Sequence, residues 1–481
     1  MKSYFKLFLI IAVWALASPS RAQAQGAQSF TLEQCIDYAL QNSVNTQNSL
    51  LDQRVAAAKV KETAGLGLPQ ITATGNVMHN EKLQRFFTVY DPVNGFVKPP
   101  NPPASLHTGD VIAAQNFFQL KNSGTVALGI NQLIFSGSYF VGLQASKTYK
   151  DLSEKTSQQT KEQVIMQVTK AYYNVLINRE RAALFNNNIA RIDSLLKNTI
   201  ALNNNGFAES IDVDRIQVTY NNLVAERDKF LKLNELSAEL LKFQMNYPME
   251  QPIDVVGNIQ DIKVEANTES YEKDWDYKVR PDYKVLETNK RLQELNVKNL
   301  YSGALPNISA FGNLGYNTQS ADIAGLFKTN TSMADANGFG PDKWYGYSNY
   351  GVNVSVPLFT GFQRHQKIQQ EKLNLLKIEN NFKSLKQGIA LETKQAGTNF
   401  NNAITSLTSQ KSNMELAGKV ARVTKIKYQQ GVGSNLEVVD AENSLRQAQT
   451  NYYSALFDAM VAKVDLDKAY GRILTQYQPK N

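Results

Sequence analysis

Hydrophobic positions in this chain follow two periods, which take turns along its length. Between Gly137 and Gly206 apolar residues fall at Val164, Val168, Ala171, Val175, Ala182, Phe185, Ile189, Ile192 and Leu196, with one polar break at Asn178. Steps of four and three keep this stripe on one side of a helix for more than four heptads. They predict a coiled-coil helix over about 140–203. Displaced by 225 residues, the stripe reads Ile389, Thr393, Ala396, Phe400, Ala403, Leu407, Gln410, Met414, Ala417 and Ala421. A second long helix is therefore expected over about 362–428. At ~1.5 Å per residue, roughly 65 helical residues make a rod of roughly 100 Å, too long for the interior of an ordinary globule.

Elsewhere the period is two. Ile71, Ala73, Gly75 and Val77 alternate with Thr72, Thr74 and Asn76; Val126, Leu128 and Ile130 alternate with Ala127, Gly129 and Asn131. Further on, Ile308, Ala310, Gly312 and Leu314 alternate with Ser309, Phe311 and Asn313, and Val352, Val354, Val356 and Leu358 alternate with Gly351, Asn353 and Ser355. Strands are expected near 69–79, 124–135, 306–316 and 350–359. Each is about ten residues long, the weak signature of an outer-membrane strand; a half-buried soluble hairpin would read the same. Four strands cannot close a barrel, and lipid tolerates no open sheet edge. Strands that span a bilayer would need several chains to share one barrel, and three chains would supply about twelve. Phe135 and Phe359, and Trp344, Tyr345, Tyr347 and Tyr350, could then form two aromatic girdles, with loops 80–123 and 317–349 facing outward.

The chain is duplicated. Gly67-Leu68-Pro69-Gln70-Ile71 returns as Ala304-Leu305-Pro306-Asn307-Ile308, Phe135-Ser136-Gly137 as Phe359-Thr360-Gly361, and Asn205-Gly206 as Gln430-Gly431. Each copy reads helix, strand, long loop, strand, very long helix, glycine turn, helix. The expected division is a first repeat over 25–245, a joining segment over 246–283, a second repeat over 284–474 and a polar tail over 475–481. The joining segment contains Pro248, Pro252 and Pro281 and suits an irregular belt, with a short strand near Asp254-Val255-Val256.

Residues 1–24 read as a secretory signal: Lys2 and Lys6, then an apolar run from Leu7 to Ala17, then Ala22-Gln23-Ala24. The run is shorter than the ~20 residues of a spanning helix. Loss of Lys2, Lys6 and Arg21 takes the net charge from +8 to +5 (8 − 3). Lys and Arg are scattered, so nucleic acid is not an expected partner. The single cysteine, Cys35, excludes a disulfide framework and reads as core. His79, His107 and His365 lack metal-ligand spacing, so neither a metal nor a cofactor is expected.

In this order the motifs resemble the TolC family of outer-membrane channel-tunnels. The resemblance rests on Thr31-Leu32-Glu33-Gln34-Cys35-Ile36-Asp37-Tyr38-Ala39-Leu40, the two Leu-Pro strand starts, the two Phe-x-Gly corners, and Tyr428-x-x-Gly431 followed by Leu436-Glu437-Val438-Val439-Asp440-Ala441. It implies a mainly α fold with a β-barrel portion. Long antiparallel coiled-coil helices would form an α-barrel, and four transmembrane strands per chain would join a trimeric 12-stranded barrel. It implies a homotrimer in the outer membrane of a Gram-negative bacterium, reaching into the periplasm. Its partners would be outer-membrane lipid, a periplasmic adaptor and an inner-membrane pump, for export of drugs and toxic compounds or for type I protein secretion.

By the same resemblance Glu437 and Asp440 match the paired acids that narrow the periplasmic mouth, and Tyr428 matches a position that helps hold it shut. Spacing i, i+3 puts the two carboxylates on one helix face; acids in a first helical turn also simply complement the helix dipole. The first-repeat equivalents are Asp212 and Arg215, with Asp214 adjacent. The family's best-known members carry an Arg where this chain has Gly433, which argues against an ionic lock of that form. Gly206, Gly431 and Gly433 are expected in tight turns at the rod tips. No Gly-x-Ser-x-Gly elbow or phosphate loop is present, and a turn at a rod tip offers no concave pocket, so an enzyme is not expected. A secreted coiled-coil scaffold or adhesin is the remaining alternative.

Overall fold

A computed structural model describes residues 28–116, 118–259, 271, 275–327, 330–332 and 343–476. The signal segment expected over 1–24 lies outside the described residues, as does most of the tail after 475. The described chain forms two compact units, and each draws on both repeats. One comprises the chain through Val55, Asp151–Asn289 and Ile378 onward; the other comprises Ala56–Lys150 and Lys290–Lys377.

The first unit is helical. Its main elements are α1 (Leu32–Asn42), the start of α2 (Val44–Gly65), most of α3 (Gly137–Asn204), α4 (Ser210–Met245), the start of α5 (Pro281–Ser302), most of α6 (Gln363–Gln429) and α7 (Asn435–Ala469). A short α8 (Ile473–Gln476) follows. Helix α3 runs for 68 residues and α6 for 67. The four-and-three stripe is the buried side of α3: Val164, Val168, Ala171, Val175, Ala182, Phe185, Ile192 and Leu196 are all buried. Buried Asn178 has its amide near Asn174 Oδ1 (3.2 Å) and Ser237 Oγ (3.4 Å), so its polar break is partnered. On α6 the same register buries Ile389, Thr393, Ala396, Phe400 and Ala421, while Ala403, Leu407, Gln410, Met414 and Ala417 are half-buried. A single copy of this chain thus covers α6 less completely than α3.

Thr31 starts α1 through a reciprocal cap. Gln34 N donates to Thr31 Oγ1 (3.3 Å) and Thr31 N to Gln34 Oε1 (2.9 Å), which satisfies two otherwise free amides. Cys35, Ile36 and Ala39 follow on the buried face, in one core with Val168, Tyr172, Leu241, Met245 and Met460. In the joining segment β6 (Ile253–Val255) pairs in parallel with β1 (Gln28–Phe30). The expected short strand is there, one residue earlier.

The second unit is built on a sheet of order β2-β5-β7-β9-β8: β2 (Gln70–His79), β5 (Asn122–Ser136), β7 (Asn307–Ser320), β9 (Lys343–Ser355) and β8 (Asn330–Ser332). The four long strands are antiparallel neighbours. Register aligns Ile71 with Ile130, Leu128 with Leu314, and Ala310 with Val352, so one face is mainly apolar, with Gln132 and Ser348 as polar exceptions. The other face carries Thr72, Thr74, Asn131, Asn313 and Asn349, with Asn313 Nδ2 donating to Asn349 Oδ1 (2.9 Å). Phe311 also lies on that face, beside Gly351, where a Cβ would stand 3.0 Å from its ring. A bulge between Leu133 and Phe135 sets Phe135 opposite Ile308, on the apolar face.

Three expectations need correction. The fourth strand runs Lys343–Ser355, not 350–359, so Trp344, Tyr345, Tyr347 and Tyr350 lie within it and Phe359 lies beyond it. Pro357 explains the end: it has no N–H for a ladder, and it stands where copy one has Leu133, which still pairs with Ser309. The outward loops are not wholly irregular. Within 80–123, β3 (Phe86–Val89) pairs antiparallel with β4 (Val111–Ala114), and within 317–349, β8 lies parallel to β9. The strand-to-helix corners also differ. Ser136 ends β5 directly before α3, whereas Gly361 (φ 57°) and Phe362 (φ 60°) make a left-handed pair before α6.

Candidate functional site: the paired glycine turns

Each long helix ends in the same turn. Gly206 follows α3 at φ 78° and Gly431 follows α6 at φ 76°, a region that a Cβ disfavours. The next amide reaches back to an end carbonyl: Phe207 N to Leu202 O (2.8 Å) and Val432 N to Lys427 O (3.0 Å). These bonds satisfy carbonyls that a helix C-terminus leaves free. Phe207 and Val432 themselves stay largely exposed, at 81% and 77%.

The two turns then diverge. Ser434 Oγ caps α7 by accepting from Glu437 N (3.2 Å), whereas Glu209, before α4, makes no side-chain cap. Gly433 is not in the left-handed region, contrary to expectation. It is small because a Cβ there would lie 3.1 Å from Tyr428 N and 3.2 Å from Lys427 Cβ. A larger residue would press on the last turn of α6.

The predicted acids separate by partner. Asp212 pairs with Arg215 Nη1 at 3.5 Å, a weak exposed pair, and Asp214 is exposed. Glu437 and Asp440 are exposed on α7, and among the described residues neither has an ion-pair partner. The opposite side of α7 is buried: Val439 joins the core of Phe185, Ile192, Leu196, Ile216 and Leu223, while Ala441 and Leu445 pack with Ala421. The carboxylates therefore point away from the helices that hold them. Tyr428 is half-buried in the last turn of α6. Asn435, buried at the start of α7, reaches Asp212 O (3.5 Å) and links the two turns.

A set of ties between the repeats escaped the sequence reading. Arg191 on α3 pairs with Glu442 on α7 (3.0 Å), and Arg446 on α7 with Glu226 on α4 (3.0 Å). Asn188 Nδ2 donates to Gln449 Oε1 (3.3 Å), and Arg181 Nη2 to Ser454 Oγ (2.7 Å). Helix α7 is thereby joined along one side to both helices of the first repeat. These partners lie more than 200 residues apart, and no local spacing marks them.

Residues 279–472 match the outer membrane efflux protein family. Over 360 residues the chain is 22% identical to the outer membrane protein TolC of Vibrio cholerae, covering 74% of this chain and 79% of that one. It is 21% identical to the outer membrane efflux protein BepC of Brucella suis, covering 98% and 93%. The fold matches the CmeC outer membrane channel of Campylobacter jejuni with a TM-score of 0.67 at 17% identity, over 92% of this chain and 85% of that one. The duplicated helices, the four-strand sheet with one apolar face and these matches agree. Residues 279–472 thus carry the outer membrane efflux protein domain, and over most of its length the chain is similar to outer membrane channel proteins of the TolC type.

Proposed function

We propose that three copies of this chain share one barrel and export small molecules from periplasm to exterior, with a periplasmic adaptor and an inner-membrane pump. The observation that carries this reading is the sheet. All ten residues of β2 are exposed, and its outer edge has no strand beside it among the described residues. At the other edge β8 covers only Lys343, Trp344 and Tyr345 of β9, which leaves 346–355 open. Open edges are not tolerated in lipid, and the two free stretches match in length, so a sister copy's β9 can close each β2. Three copies of four long strands give about twelve, enough for an aqueous interior where eight are filled by side chains.

In this reading the tip turns meet the adaptor through exposed Phe207 and Val432. Glu437 and Asp440 of three copies form carboxylate rings at the mouth, with Tyr428 behind them. Such rings attract cations. Gly433 supplies no arginine, so closure rests on the Arg191–Glu442 and Arg446–Glu226 ties, and opening moves α6 and α7 against α3 and α4. Planar-bilayer recording tests the gate. Glu437→Ala/Asp440→Ala should raise conductance and abolish cation block; unchanged conductance and block would remove both residues from it. A deletion strain tested against dyes, detergents and antibiotics tests the cargo. Unchanged sensitivity together with lost protein secretion would replace efflux by type I secretion.

A further inference from the structure

Away from the tips, the first unit holds a buried charge cluster where three chain segments meet. Glu162 on α3 is 8% exposed, and its Oε1 has no hydrogen-bond partner. It lines a cavity of about 250 Å³ with Gln159, Gln163, Arg280, Asp282 and Lys468. An orphaned carboxylate oxygen in such a place is costly unless it is protonated or finds a cation.

The two cations at hand differ in freedom. Arg280 is 5% exposed and held on every side: Nε and Nη2 donate to Asp282 (3.0 and 2.8 Å), Nη1 donates to Ala469 O (2.9 Å), and Nη2 pairs with Glu392 (2.8 Å). Lys468 on α7 has one ion-pair partner among the described residues, Glu392 on α6 at 2.7 Å. An ammonium has three donors on a flexible stem. Were Lys468 to leave, Glu392 would keep Arg280.

We infer that Glu162 is a proton-operated partner switch, whose ionisation draws Lys468 across the cavity from Glu392 to itself. With Glu162 neutral, Lys468 ties α7 to α6, inside the second repeat. With Glu162 charged, Lys468 ties α7 to α3, across the repeats. The step moves one proton to solvent and exchanges one ion pair for another.

The electrostatics agree with this geometry. Burial pushes the Glu162 carboxyl from 4.5 to about 7; Arg280 and Lys468 oppose the rise, while Asp282 and Glu392 add to it. Burial alone would also raise Glu392, but Lys468 and Arg280 hold it low while Lys468 is paired with it, and Arg280 stays on it when Lys468 leaves. The sign follows from linkage. The folded chain holds the Glu162 proton more tightly than the unfolded chain, so its stabilising share is full below about pH 4.5 and lost as pH rises to about 7. Asp467, also buried and raised by burial, adds a background of the same sign, so the comparison must be with a Glu162 variant.

The test is a pH series from 4 to about 8.5 on the detergent-solubilised full-length assembly. The wild type should lose thermal stability with rising pH and level off near pH 7, and Glu162→Gln should remove most of that fall. Single-channel conductance should change with a midpoint near 7 in the wild type, and in neither Glu162→Gln nor Lys468→Met. If Glu162→Gln fails to assemble, the infrared band of a protonated carboxyl in the wild type must fade through pH 7. A Glu162→Gln profile equal to wild type, no fading band, or a conductance step that survives Lys468→Met would each overturn the switch. The stability and infrared arms need no conductance, so failure of the channel reading would show separately, as a wild type that does not conduct.

Discussion

Cys35 shows how burial sets chemistry at a single residue. It has no accessible surface, and burial pushes its thiol up to about 12. The thiolate is the reactive form. Native protein should therefore resist a maleimide at pH 8 and react fully once unfolded; fast native labelling would mean that α1 is not packed as described. Gly431 makes a different point. Its left-handed φ has open space around it, so the cost of a side chain there is backbone strain alone. Gly431→Ala should destabilise the turn by about 1–2 kcal/mol, read as faster hydrogen exchange in the last turn of α6. Gly433→Ala meets the helix end instead, and its cost depends on whether that turn can shift. The sequence shows both glycines but not this difference, because close approach is a tertiary fact. Glu437 and Asp440 were readable as a same-face pair from their spacing. Glu162 was not, since nothing in a four-and-three stripe tells a buried glutamate from a solvated one.

Among elements, the period-two and four-and-three patterns located the strands and long helices because each element buries or presents one face along its whole length. Boundaries were less secure where the two copies differ. Alternation that continues through Val356 and Leu358 put the fourth strand at 350–359, but Pro357 stops the ladder at Ser355 and the aromatic run from Trp344 extends the strand at its start. The ties of α7 to α3 and α4 had no sequence signal, and they carry a prediction. Glu442 is largely buried and holds Arg191 at 3.0 Å, so Glu442→Gln leaves a partly buried guanidinium with a weaker partner. We expect Glu442→Gln to raise open probability in planar bilayers, with a smaller effect from Glu226→Gln, whose pair is more exposed. Equal and wild-type behaviour of both variants would remove the ties from the gate.

On the scale of the whole molecule, one copy is unfinished. Its sheet presents an apolar face to the outside, including Ile71, Val126, Leu128, Ile130, Val352 and Val354, all more than 45% exposed. It also leaves two long edges open, and α6 is only half-covered along the middle of its stripe. Each feature is a liability for a solitary soluble protein. All three are resolved together if lipid meets the apolar face while sister copies meet the edges and α6. The sequence pointed to this in outline, because four strands are too few to close. The matched lengths of the free edges came only with the register. Native mass spectrometry of the detergent-solubilised protein tests that claim most directly. The account predicts an assembly of three chains that persists on dilution, and a monomer stable in the same detergent would contradict it.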